Sequence, residues 1–170
     1  MPIRHAFALV LMGVSGCGKS TVGRLVASRA GCEFADADDF HPPGNLAKMS
    51  SGEALTDEDR GPWLEALRDH IRERNERGKT LVLACSALKK SYRDKLREAG
   101  PQVVFVHLSA SRELLLERLQ NRPGHFFPVS LLDSQFEALE LPTQALVLDA
   151  AAPPDDLALQ ILVPFFNRLP

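Results

Sequence analysis

The sequence predicts an α/β domain built on a mainly parallel sheet. Three observations carry this reading. Short runs rich in Val, Leu and Phe alternate with amphipathic stretches along the whole chain, the rhythm of strand and crossover helix. Three of the five runs are near-continuously apolar, as strands covered on both faces are. The first run leads straight into a glycine-rich loop and then an amphipathic stretch.

The predicted strands are Phe7–Met12, Glu33–Asp36, Thr80–Cys85, Val103–Leu108 and Ala145–Asp149. A first helix runs from the glycine loop to Ala30, with Gly31 as its C-terminal stop. A second covers Pro62 to Arg77 and ends before Gly78. Ser86 is placed to cap a third, Ala87 to Ala99, closed by Gly100 and Pro101. Helices are also expected over Ser111–Gln120, Ser130–Leu139 and Asp155–Asn167, with Pro164 kinking or ending the last. His41–Asp59 has no clear period and reads as a mobile substrate-binding excursion.

Length and composition bound the function. A chain of 170 residues, 45% hydrophobic and 25% charged, suits one globular domain, residues 1–170, with a single core. A net charge of −2 supplies no global field for nucleic acid or an anionic membrane, so any anion site must be built locally. No apolar run is long enough to span a membrane, and Phe7–Met12 leads into the glycine loop rather than a cleavage site. Cys17, Cys32 and Cys85 are far apart, odd in number and without metal-ligand spacing. That points to reduced thiols and a cytoplasmic location.

The strongest local signal is Gly13-Val14-Ser15-Gly16-Cys17-Gly18-Lys19-Ser20, followed by Thr21. It fits G-x-x-x-x-G-K-[ST] between a strand and a helix, the context that identifies a nucleotide-phosphate loop. Its glycines let backbone N–H groups turn toward phosphate oxygens, and Lys19 adds a mobile charge for the β- and γ-phosphates. Ser20 offers a hydroxyl to Mg²⁺, and the helix N-terminus adds partial positive charge. A nucleotide with Mg²⁺ is therefore the expected ligand, which on this loop alone leaves an NTPase, a switch or a kinase open.

The second strand ends in Asp36-Ala37-Asp38-Asp39. Ligands of open α/β sheets bind at the carboxyl ends of strands, so these acids should face the loop. Alternation sends Asp36 and Asp38 to one side and Asp39 to the other. One of the first two would hold Mg²⁺ through water while the other orients or deprotonates a substrate hydroxyl. Lys48, Arg60, Lys89, Lys90 and Arg93 follow the second and third strands, and as a group at least two should hold an anion. The strand exit Cys85-Ser86-Ala87 offers N–H groups and a hydroxyl nearby.

Arg118 and Arg122 share one helix face and precede the hinge-like Pro123–Pro128, so a lid over about 118–135 is expected. His5, His70 and His107 show no ligand spacing, and Trp63 reads as a helix-start packing residue. His41 and His125 sit in loops where a lone histidine is more often structural.

Together these pieces resemble the gluconokinase family. The resemblance rests on LMGVSGCGKST (Leu11–Thr21), DADDFHP (Asp36–Pro42), the N-x-x-K-M of Asn45–Met49 and SGEALTDEDRGPWL (Ser51–Leu64). It continues through LACSALKKSYRDKLR (Leu83–Arg97), RLQNRPGHFFP (Arg118–Pro128) and LLDSQFEALE (Leu131–Glu140). The resemblance implies a nucleoside-monophosphate-kinase-like P-loop kinase fold, with a central five-stranded parallel sheet, a substrate region at about 41–60 and a lid. It implies transfer of the ATP γ-phosphoryl group to the 6-hydroxyl of D-gluconate, in a homodimer. Gly13 to Thr21 would hold ATP, Ser20 the metal, with Asp36 reaching it through water. Lys19, Asp38, Arg118 and Arg122 would be catalytic, and Asp38, His41, Lys48, Arg60, Ser86, Lys89 and Arg93 would contact gluconate. Rival readings are a same-fold kinase for a hydroxylated acid such as shikimate, whose expected glycine-triplet substrate motif is absent, and a nucleotide-binding regulator without catalysis.

Overall fold

The computed structural model describes residues 5–122 and 128–167. Five parallel strands form one sheet: β1 (Ala8–Met12), β2 (Glu33–Asp36), β3 (Leu81–Ala84), β4 (Val103–Ser109) and β5 (Leu146–Asp149), in the order β2-β3-β1-β4-β5. Each expected strand is present, with ends moved by at most one residue.

The pleat divides the core in two. From β1, Leu9 and Leu11 point to one face and pack with Val82, Val106 and Leu108 against α1 (Lys19–Ala30) and α7 (Pro154–Phe166). Ala8, Val10 and Met12 point to the other. There they meet Leu81, Leu83 and Phe105, covered by α3 (Asp57–Glu76) and α4 (Lys90–Arg97). Burial on both faces is what near-continuous apolar strands demand. The remaining helices are α2 (Pro43–Ser50), α5 (Arg112–Gln120) and α6 (Val129–Ala138).

Four expectations need correction. Helix α3 begins at Asp57, five residues before Pro62, because Thr56 and Asp59 form a reciprocal capping box. Pro62 lies in the second turn, where its ring costs only the bond to the Glu58 carbonyl. Ser86 does not cap α4. Ala87 takes a left-handed φ of 44°, the helix starts at Lys90, and the Lys90 N–H donates to Glu140 Oε2 at 2.7 Å. The segment expected to be a mobile excursion, His41–Asp59, is built: it follows a 3-10 turn over Ala37–Phe40 and holds α2 and the start of α3. Helix α7 continues through Pro164 to Phe166 and closes on Asn167 in the left-handed region.

Candidate active site

The loop between β1 and α1 can be closed only by glycine at its entry. Gly13 has φ 146°, and a Cβ there would lie 2.7 Å from the Leu108 carbonyl oxygen and 2.8 Å from Cys17 Sγ. Gly18, at φ 100°, ends the loop and starts α1. The Lys19 ammonium folds back on the loop, donating to the carbonyls of Gly13 at 2.9 Å and Val14 at 3.3 Å.

The end of β2 is tied to this loop. Ser20 Oγ donates to Asp36 Oδ2 at 2.7 Å, and the Asp38 N–H donates to Asp36 Oδ1 at 3.0 Å. Asp38 thus reaches the cleft through a 3-10 turn initiated by Asp36, not by extended alternation. Asp36 and Asp38 line the cleft, while Asp39 is not among its lining residues. The surrounding protein, then the charge of Asp36, push the Asp38 carboxyl above its ordinary range, and Lys19 partly offsets this. The side chain remains 73% exposed, so water in the open cleft screens part of the effect. The Ser20 hydroxyl and Asp36 carboxylate are hard oxygen donors of the kind that suit Mg²⁺.

The cleft has a volume of about 450 Å³, the size of a small-molecule site. It brings together Ser15, Gly16, Gly18, Lys19, Ser20, Thr21, Asp36 and Asp38 with His41, Arg60, Ser86 and Arg122. Arg60 is held by the Leu55 carbonyl at 2.7 Å and the Tyr92 hydroxyl at 3.2 Å. Trp63 is a core residue, and it also forms part of the cleft wall as the platform on which His41 stacks.

Other expected site residues do not line this cleft. Lys48 pairs with Asp59 at 2.9 Å and Lys89 with Asp57 at 2.9 Å, and neither lines the cleft. Arg93 is 3% exposed, and its guanidinium donates to the carbonyls of Ala87, Leu88 and Glu140. It fastens the strand exit to the end of α6 and offers nothing to a ligand. Arg118 lines a second cavity that shares Gly16, Gly18, Thr21 and Arg122 with the cleft, and it donates to Ala150 O at 2.6 Å and to Gly16 and Cys17 O at 3.4 Å. Val14 and Cys17 are buried loop residues.

The stretch of about 118–135, expected as a lid, touches the body at Arg118 and Leu132. Arg118 grips Ala150, and Leu132 is fully buried in α6. The segment between them that includes Pro123, Gly124, His125, Phe126 and Phe127 lies outside the described residues. Gln135, which no sequence signal singles out, accepts the Ser15 N–H at 2.8 Å and donates to Ser15 Oγ at 2.9 Å. An amide oxygen thus sits on a loop N–H of the kind that binds phosphate.

One cleft therefore combines an N–H-rich anion loop, the Lys19 ammonium, three carboxylates (Asp36, Asp38 and Glu53) and two guanidinium groups, a set suited to phosphoryl transfer. The sequence profile of the shikimate kinase family matches residues 15–140. The chain is 52% identical to the gluconokinase of Gluconobacter oxydans over 134 residues, 79% of this chain and 75% of that one. It is 50% identical to the thermosensitive gluconokinase of Escherichia coli, over 79% of this chain and 72% of that one. The crystal structure of a gluconokinase from Sinorhizobium meliloti superposes with a TM-score of 0.83 at 45% identity, covering 92% and 89% of the two chains.

Proposed function

The chain belongs to the gluconokinases within the shikimate kinase family, and on that premise we propose that it transfers the γ-phosphoryl group of ATP to the 6-hydroxyl of D-gluconate, yielding 6-phospho-D-gluconate and ADP. The observation that carries the reading is the gathering of Lys19, the Ser20–Asp36 pair, Asp38 and Arg60 around one cleft. The family profile bears the shikimate name, but relatives at half identity are gluconokinases, which favours gluconate as acceptor.

The roles follow from position. N–H groups of the loop hold the phosphates of ATP, and Lys19 leaves the Gly13 and Val14 carbonyls to meet the γ-phosphate. Arg60 takes the acceptor carboxylate in a fork braced by Tyr92. Asp38 orients the 6-hydroxyl and accepts its proton as the new oxygen–phosphorus bond forms and the bond to the β-phosphate oxygen breaks. Arg122 lies across the cleft, suited to offset charge on the transferring group. Ser20, and Asp36 through water, would hold Mg²⁺, which would supply positive charge to the phosphate oxygens.

The reading carries finer parts. We assign residues 41–60 to the acceptor and 118–135 to closure over the nucleotide, within one domain. We also assign the chain to the cytoplasm on the strength of its three cysteine thiols. A homodimer is also expected, with exposed Val147 on the edge strand β5 as a candidate contact. Phosphorus NMR of the product tests the reaction: phosphate coupled to the C6 protons of gluconate supports it, and phosphate on the C1 side or on no acceptor refutes it.

A further inference from the structure

Beside Asp38 stands a second polar group whose protonation the structure dictates. The Asn45 side chain is buried, and its amide nitrogen makes two contacts: to the Asp59 backbone carbonyl at 2.9 Å and to His41 Nδ1 at 3.2 Å. A carbonyl only accepts, so the Asp59 contact fixes which end of the amide is NH₂. That NH₂ also faces Nδ1, which must then accept. In a neutral imidazole the proton consequently sits on Nε2.

The ring cannot turn away from this arrangement. It stacks on Trp63 with centroids 4.3 Å apart and planes within 13°, and its side chain is only 4% exposed. Nε2 has no hydrogen-bond partner among the described residues, yet it is not sealed in as His70 Nε2 is. Asp38 Oδ1 stands 3.9 Å from it, too far for a hydrogen bond, and both residues line the cleft. Two groups at that separation can each reach one oxygen atom placed between them at ordinary hydrogen-bond distance.

We propose that Asn45 is a positioning residue that locks His41 in its Nε2–H tautomer, so that the imidazole presents one fixed hydrogen-bond donor to a hydroxyl oxygen of the acceptor beside Asp38. The acceptor hydroxyl then donates to a carboxylate and receives from an imidazole, and a group lacking the hydroxyl leaves a donor unpaired. The proposal rests on the gluconate reading for the identity of that hydroxyl, while the tautomer stands on this chain alone. Burial, then the positive charge of Arg60, also hold His41 below its ordinary pKa. Protonating Nδ1 would set N–H against N–H at Asn45. The charged groups facing the ring are Asp38 from the 3-10 turn and Arg60 from α3.

The first test is ¹⁵N NMR of the histidine rings in the ligand-free wild-type protein, with His41 assigned by its loss in His41→Phe. Nδ1 resonating as the unprotonated nitrogen and Nε2 as the N–H supports the proposal. The reverse pattern, or an averaged one, overturns it. The second test is kinetic. His41→Phe keeps the stacking surface and should raise the gluconate KM about 3- to 10-fold, the effect of one neutral hydrogen bond, with the ATP KM unchanged. His41→Gln, which returns an N–H donor, should recover most of that loss. Asn45→Leu, which removes the donor that holds Nδ1 unprotonated, should leave the His41 ring resonances averaged between tautomers and raise the gluconate KM towards that of His41→Phe. An unchanged gluconate KM in His41→Phe overturns the acceptor contact. A wild-type protein inactive on gluconate refutes the preceding functional reading, and the ring resonances still decide the tautomer.

Discussion

Asp36 takes the Ser20 hydroxyl with one carboxylate oxygen and the Asp38 N–H with the other, so one side chain ties the phosphate loop to the turn that carries Asp38. Its charge is also a cause of the raised Asp38 pKa, after the surrounding protein. The consequence has a definite sign. A carboxyl that holds its proton to higher pH in the folded chain than in the unfolded one costs stability as pH rises between those values. Asp38→Asn should therefore abolish turnover while raising Tm slightly at neutral pH. The acid limb of wild-type kcat/KM should lie above the ordinary carboxylate value of 3.8. A limb below that value, or near-normal kcat in Asp38→Asn, would demote Asp38 to a bystander.

Arg93 makes the opposite case. It was expected at the acceptor, but its guanidinium is occupied by three backbone carbonyls. Arg93→Met strands those acceptors in a buried place and should cost about 2–4 kcal/mol of stability. Chemical denaturation measures this. A normally stable variant with a selectively raised gluconate KM would instead return Arg93 to the acceptor site.

At the scale of elements, sequence reading succeeds where structure is local. The strands were legible because burial on both faces leaves a continuous apolar run, and the phosphate loop because its glycines are required by backbone geometry. Caps made by distant residues were not legible. Glu140 caps α4 from fifty positions away, and Gln135 meets Ser15 across a hundred and twenty. Nothing in a local window announces such pairs. The start of α3 was legible in principle, since Thr56 and Asp59 stand at capping-box spacing, but Pro62 drew the boundary inward. Backbone and side-chain bonds with Thr56 and Lys48 hold the Asp59 carboxyl down at about 2. A depressed carboxyl contributes stability above the unfolded value of 3.8 and loses it as pH falls towards about 2. Asp59→Asn should therefore flatten the fall in stability over that window, and Thr56→Ala should cost about 1 kcal/mol. Thermal melts across the acid range check both. An unaltered pH dependence in Asp59→Asn would show that the cap is not formed.

At the scale of the whole molecule, the parallel sheet brings the exits of its first three strands to one edge. The loop after β1, the acids after β2 and Ser86 after β3 share that edge because all five strands run the same way. The positions that sequence reading placed in the cleft were mostly those within a few residues of a strand end. The basic residues farther along, Lys48, Lys89 and Arg93, were drawn off by Asp59, Asp57 and the Glu140 junction. Charge alone did not say which cation would find a partner before it found the cleft.

The central claim is acceptor-dependent phosphoryl transfer, and coupled ADP release with ATP and Mg²⁺ tests it most directly. The acceptors are gluconate, shikimate and none, each with wild-type protein and with folded Lys19→Ala. The account predicts a gluconate-dependent rate well above the others and reduced about 100-fold or more in Lys19→Ala. Turnover with shikimate instead of gluconate, or ADP release indifferent to any acceptor, would contradict it.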